Sequence, residues 1–169
     1  MRVLLDDKTR VSCRQMYLGT GDELKYVWEE AFEGQANGIL GAARLGQLTV
    51  SSGVHSGFVG VRVTLSDSAP PIDPSWEDVV EVSLTASSEY WGIVEGIVES
   101  GHGFEGAEGE YRVRMSVKGM DAGAAVDVVS DDDPLVEHHL FEFWPAPWAA
   151  DEIVRRGSDY AARRHQDVS

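Results

Sequence analysis

The sequence predicts a mainly β protein: a two-layer antiparallel β-sandwich with one short N-terminal helix and one C-terminal helix. Three observations lead to this fold class. Apolar residues recur with a period of two in several segments, which is the pattern of strands with one buried face. Most gaps between these segments are too short for a helix that crosses back over a sheet. Only two segments show helical spacing instead.

Alternation is strongest in residues 111–118, where the apolar positions are Tyr111, Val113, Met115 and Val117. The same period predicts strands at residues 58–65 and 80–85. Shorter or less regular runs predict further strands at about residues 11–18, 47–52, 90–99 and 136–144. Seven strands of this kind are enough for two packed layers.

The connections and helices follow from glycine, proline and helical spacing. Three prolines between residues 70 and 74 interrupt the chain between two strands, and the glycine-rich stretch 99–110 is predicted to be a mobile loop. A helix is predicted from about residue 26 to 36, with Val27 and Ala31 on one face. A second helix is predicted over about residues 150–164, with Asp151 near its start.

Length and cysteine content bound the organisation of the chain. A chain of 169 residues sustains one core, so a single domain over residues 1–169 is expected, with the C-terminal helix (150–165) packed on it or trailing from it. Cys13 is the only cysteine, which excludes an intrachain disulfide, and its place in an alternating run predicts a buried, inert thiol. The first ten residues resemble neither a secretory signal nor a membrane span, so a cytoplasmic location is expected.

Catalytic, metal and cofactor sites are not predicted. His138 and His139 are adjacent, and neighbouring residues of a strand face opposite sides, so they do not chelate one ion together. The run Asp131–Asp133 has carboxylates but lacks the spacing of a calcium loop, and it is interpreted as a solvated turn. The glycine-containing segments lack phosphate-binding motifs, and no serine lies on a nucleophile elbow.

The charge argues for a protein partner. The formal net charge of −15 repels nucleic acid and anionic lipid, while it attracts and steers basic proteins. Arg112, Arg114 and Lys118 form a stripe on one strand, interpreted as a face paired with acidic residues of neighbouring strands and not as a phosphate site. Acidity that serves solubility alone remains an equally good explanation.

A resemblance to a known family rests on short motifs spread over about residues 11–120. They are the segment Ser12-Cys13-Arg14-Gln15-Met16-Tyr17, then Trp28 with Phe32, Gly34 and Ala36, an apolar strand pair, and Gly109-Glu110-Tyr111. In this order they resemble the competence protein J (ComJ-like) family of small bacterial nuclease inhibitors. The segment Trp144–Pro147 is also similar to one in uncharacterised actinobacterial proteins. The family resemblance implies a β-rich cytoplasmic protein that masks the basic groove of a nuclease.

The leading hypothesis is therefore an inhibitor or immunity-type protein that binds a basic protein such as a nuclease, without cofactor or metal. The candidate contacts are acidic side chains and two aromatic anchors. They are Glu105, Glu108, Glu110, Asp131, Asp132, Asp133, Trp91 and Trp148. Two alternatives stay open: a structural or scaffold β-domain, and a small-ligand protein or enzyme with a pocket between the β-layers that includes His102.

Overall fold

The computed structural model describes residues 1–20, 28–95 and 101–168, and places twelve strands and three helices within them. The strands are β1 (Arg2–Val11), β2 (Gln15–Thr20), β3 (Leu40–Gly41), β4 (Gln47–Ser51), β5 (Ser56–Leu65), β6 (Asp78–Ala86), β7 (Tyr90–Glu95), β8 (Gly101–Glu105), β9 (Gly109–Lys118), β10 (Val128–Val129), β11 (His138–Pro145) and β12 (Glu152–Arg155). The helices are α1 (Trp28–Ala31), α2 (Met120–Val126) and α3 (Asp159–Val168). None of these helices is long and apolar enough to cross a membrane.

Two sheets form the layers of a β-sandwich, as the alternating pattern predicts. The larger sheet has the order β1-β5-β11-β9-β6-β12, with β10 beside β5, and the smaller has the order β3-β4-β2-β7-β8. Most neighbours are antiparallel, but β11 and β10 run parallel to β5. The long path between β5 and β11 passes through β6 to β10, so these two strands need no short crossover.

The core lies between the two sheets. It is formed by the inward-facing residues of the long strands, including Val59, Val63, Met115, Phe141 and Phe143. These side chains are essentially inaccessible to water. The period of two therefore predicts the buried faces of β5 and β9 correctly, while β11 carries apolar residues on both faces.

The C-terminal helix begins later than predicted. Residues Glu152–Arg155 form β12 on the edge of the larger sheet, and α3 starts only at Asp159. Ser158 caps this helix, because its Oγ accepts a hydrogen bond from the Ala161 N–H at 3.1 Å. Asp121 accepts the next two free N–H groups, from Asp159 and Tyr160, at 3.0 and 2.8 Å. The carboxylate of buried Asp78 accepts a hydrogen bond from the Ser158 N–H. All four backbone N–H groups at the start of the helix therefore have an acceptor.

Three other expectations from the sequence need correction. The run 11–18 is not one strand: Cys13 and Arg14 take positive φ values of 52° and 65° in a tight turn between β1 and β2, which exposes the Cys13 thiol. Part of the predicted mobile loop is β8, paired with β7. The N-terminal helix is confined to α1 among the described residues. Residues 26–27 of that prediction, and 96–99 of the predicted strand 90–99, lie outside them.

Candidate protein-binding surface

Four glutamates gather at one end of the sandwich, where the β6–β7 and β8–β9 connections meet. Antiparallel pairing places Glu105 opposite Tyr90 and Glu110 opposite Thr85. The N–H of Gly106 donates to the carbonyl of Glu89 at 2.8 Å, which ties the two connections together. The set Glu89, Glu105, Glu108 and Glu110 is called the acidic end below.

The carboxylates of the acidic end are exposed and uncommitted. None of the four forms a side-chain hydrogen bond or an ion pair with any residue that the structure describes. Four like charges in one place create a local negative potential, which is relieved when a lysine or arginine of another protein approaches. The arrangement is chemically suited to bind cations of a partner.

Exposed apolar side chains border the acidic end. Trp148 is 73% exposed, Tyr90 is 66% exposed and Leu45 is 83% exposed. Trp148 and Leu45 both line a shallow hollow of about 200 Å³ beside Ser83, Leu84 and Thr85. Since Thr85 pairs with Glu110, the apolar hollow and the carboxylates are neighbours on the same end of the molecule. Large exposed rings beside charged groups are typical of protein interfaces.

Trp91 is not part of this surface, although the sequence analysis names it as an anchor. Its side chain is 2% exposed and packs in the core, with ring centroids 5.3 Å from Tyr111 and 4.9 Å from Phe143. The indole N–H is satisfied by the carbonyl of Ser88 at 3.0 Å. Trp91 and Tyr90 occupy successive positions of β7, and the pleat turns the tyrosine outward and the tryptophan inward.

Asp131, Asp132 and Asp133 lie elsewhere on the molecule. Asp131 forms an ion pair with Lys8 of β1, whereas the guanidinium of Arg2 in the same strand donates a hydrogen bond to the Glu105 carbonyl at 3.3 Å. Lys8 lies six positions along the strand from Arg2, a distance of about 20 Å. Asp133 also accepts the N–H of Ser130 at 2.8 Å. These aspartates therefore form a second acidic region that is partly committed to the fold.

The arginine stripe of β9 is an internal ion-pair network. Glu81 of β6 bridges Arg112 and Arg114 at 3.3 and 3.1 Å, and Glu142 of β11 contacts Arg114 at 3.3 Å. Backbone carbonyls of Pro70, Ala149 and Ala150 accept further bonds, so both guanidinium groups are buried. Burial raises the pKa of Glu142, and the nearby Arg114 opposes that shift. The pairing of these two arginines with acidic neighbours agrees with the sequence, but both are covered and not solvated, while Lys118 of the same stripe is exposed.

At the level of β11, packed core side chains occupy the space between the two layers. Phe141, Phe143 and Met115 fill the space between the sheets at the level of β11. His102 lies at the seam between β8 and β1, where its Nε2 is 3.1 Å from the carbonyl oxygen of Lys8. This histidine therefore takes part in joining the two sheets.

Comparison with known proteins places the fold. No family model matches the chain, and no curated protein matches it. Two solved structures are similar. One is ComJ from Bacillus subtilis, described as an inhibitor of the DNA-degrading activity of NucA, with a TM-score of 0.60, 14% identity, and 86% of this chain and 98% of that chain covered. The other is the product of crocagin biosynthetic gene J, with a TM-score of 0.55, 16% identity and the same coverage.

Proposed function

We propose that this chain is a protein-binding inhibitor that masks a basic partner, a nuclease in the first place, with its acidic end. The single observation that carries the proposal is the grouping of four unpaired carboxylates with exposed aromatic rings on one end of the fold. The cytoplasmic location expected from the sequence belongs to the same proposal.

The fold likeness supports an inhibitor over an enzyme. ComJ, which shares this architecture over 98% of its length, inhibits a DNA-degrading protein. A fold alone does not determine function, so the argument rests on the site. Glutamates without internal partners lose no hydrogen bond within this protein when they contact a lysine or arginine of the nuclease.

Electrostatics supports a basic partner. A nuclease binds phosphates through cationic groups, and carboxylates presented by an inhibitor can occupy the same positions. The net charge of −15 increases the association rate with such a partner, and salt screens this attraction. Trp148, Tyr90 and Leu45 then supply the apolar contact area that anchors a complex.

The test compares two triple variants of equal charge change. The chain is immobilised and exposed to a lysate of the source cell at low salt. Basic nucleases that are retained there and released at moderate salt are collected, and inhibition of their cleavage of plasmid DNA is measured. The variant Glu105→Gln/Glu108→Gln/Glu110→Gln is expected to weaken inhibition about 100-fold or more, because several interface charges are lost together. The matched control Asp131→Asn/Asp132→Asn/Asp133→Asn changes the net charge by the same amount and is expected to weaken inhibition less than about threefold.

Equal losses in both variants would show that net charge alone matters, and would contradict a localised site. Retention of no nuclease at either salt concentration would contradict the inhibitor proposal and favour the scaffold alternative. A Trp148→Ala variant gives a separate check, since an aromatic anchor at the interface is expected to cost about tenfold or more in affinity.

A further inference from the structure

A groove of about 730 Å³ lies on the outer face of the larger sheet, away from the acidic end. Its floor crosses β1, β5 and β11, and the side chain of Trp76 forms part of its wall. Gly60 is central to this shape. A Cβ at this position would lie 2.5 Å from Nδ1 of His138, so a larger residue would displace the histidine ring and fill the groove.

Strand pairing orders the groove into two rows. Lys8, Gly60, His138 and Lys118 are successive cross-strand neighbours in one row. Asp6, Arg62 and Leu140 are neighbours in the next row. Opposite charges and an apolar side chain therefore lie side by side within a few ångströms, because adjacent strands are about 4.8 Å apart.

Several polar groups of the groove lack partners. Arg62 and Asp6 face each other across β1 and β5, yet they form no ion pair, and Lys118 forms none with a described carboxylate. The Lys118 ammonium instead lies 5.0 Å above the Trp76 ring. Thr64, which is 2% exposed, lines the groove, and its buried Oγ1 has no hydrogen-bond partner. Buried hydroxyls without partners are uncommon, and this one lies beneath the surface of the groove.

The charges that line the groove are of both signs. Lys8 is paired with Asp131 and Glu142 with Arg114, which leaves Arg62 and Lys118 beside Asp6, Asp7 and Asp73. His138 adds no charge at neutral pH, because burial and the adjacent Lys118 lower its pKa. A net anion would be repelled by these aspartates and by the whole protein, whereas a zwitterion has no net charge and offers one group to each sign of charge in the groove.

We infer that this outer groove binds a small zwitterion with an apolar body, of the amino acid or short-peptide class. Its carboxylate lies against Arg62, its ammonium lies against Asp6, and its side chain rests on Leu140 and Trp76. The volume is in the range of small-molecule sites and holds a dipeptide. The site is distinct from the proposed inhibitory surface, so one can fail without the other.

Three forms of one dipeptide test both charges. Leucyl-phenylalanine, its N-acetyl derivative and its C-terminal amide are titrated into the full chain, and binding is followed by the NMR shift of the Gly60 amide at the groove floor. The free dipeptide is expected to bind, and each derivative to bind about tenfold more weakly, since each has lost one charged contact. Equal binding of all three forms, or no shift at millimolar dipeptide, would overturn the inference.

Two variants assign each charge to its partner. Arg62→Met is expected to weaken binding of the free dipeptide about tenfold while leaving binding of the amide unchanged, because the amide has no carboxylate to lose. Asp6→Asn is expected to weaken binding of the free dipeptide about tenfold while leaving binding of the N-acetyl form unchanged, because that form has no ammonium to lose. Arg163→Met removes an exposed arginine of α3 and serves as the charge-matched control, with no change expected. Equal weakening of every form by Arg62→Met would contradict the assigned orientation.

Discussion

Strand β11 joins two carboxylate-bearing regions that differ in burial and in hydrogen bonding. Before its first residue lies Glu137, fully buried, which accepts hydrogen bonds from Ser52 Oγ at 2.9 Å and from the N–H groups of Gly53 and Val54 at 3.2 and 3.0 Å. His139 Nε2 lies 2.7 Å from the same carboxylate. Beyond the last residue of β11, the N–H of Ala146 donates to the Glu110 carbonyl at 3.2 Å, and there the acidic end is exposed and unpaired.

The difference shows that carboxylates of this chain have two separate roles, one in holding the two sheets together and one at the surface. Ser52 to Val54 follow β4 of the smaller sheet, whereas Glu137 precedes β11 of the larger sheet, so one side chain ties the two layers together. The acidic end contributes no such bond. Its glutamates are therefore free to change without loss of the fold, and they are the ones available to a partner.

The largest effect is expected at Glu137. Glu137→Gln replaces one acceptor oxygen with an NH₂ group, which faces backbone N–H donors in a site closed to water. We expect a loss of about 3 kcal/mol in the free energy of unfolding, because hydrogen bonds to a buried charge are lost and donors are left unpaired. Urea denaturation followed by tryptophan fluorescence measures this loss.

Glu108→Gln is the matched control for that substitution, since it makes the same chemical change at the acidic end. Its urea midpoint is expected to equal that of the unmodified chain, because the Glu108 side chain has no described partner. A Glu137→Gln variant as stable as Glu108→Gln would show that the buried bonds contribute little, and the contrast between the two regions would fail.

A smaller effect is expected at Glu81, which lies between Arg112 and Arg114. Glu81→Gln removes the charge shared by two buried guanidinium groups, and about 2 kcal/mol of stability is expected to be lost. The loss is smaller than at Glu137 because Glu142 and backbone carbonyls still accept from these arginines. A double variant with Arg112→Met recovers part of the loss if an unpaired charge is its cause, and it shows an additive loss if packing is the cause.

Much of the fold was predictable because burial imposes alternation on strands. The long strands β5 and β9 each bury one face in the core, and their apolar residues repeat every two positions. Strand β8 escaped prediction because Gly101 and Gly103 interrupt the apolar alternation, and Gly101 serves close approach to the neighbouring strand. A Cβ on Gly101 would lie 1.9 Å from the Ile93 carbonyl oxygen of the neighbouring strand. The helix predicted from residue 150 wrongly included the residues of β12, although Gly157 and Ser158 indicate a helix start after them.

The candidate surface was only partly predictable, because charge and aromaticity do not specify exposure. Glu105, Glu108, Glu110 and Trp148 do share one end of the molecule. Trp91 does not join them, since the pleat of β7 assigns it to the core and leaves Tyr90 outside. The roles of Glu81 and Glu137 depend on contacts with residues dozens of positions away, and a local pattern contains no information on such contacts.

The smallest effect is expected at Glu142, and it concerns the dependence of stability on pH. Burial raises the pKa of this carboxyl above its usual value of 4.5, so the folded chain binds its proton more tightly than the unfolded chain does. Its contribution to stability is therefore present below pH 4.5 and falls as the pH rises through the folded-state pKa. Glu142→Gln removes this dependence, so its stability deficit relative to the unmodified chain is expected to shrink between acidic and neutral pH in urea titrations. A deficit that grows over the same range would show that the Arg114 ion pair outweighs burial, and that this buried carboxylate stabilises the fold through its charge.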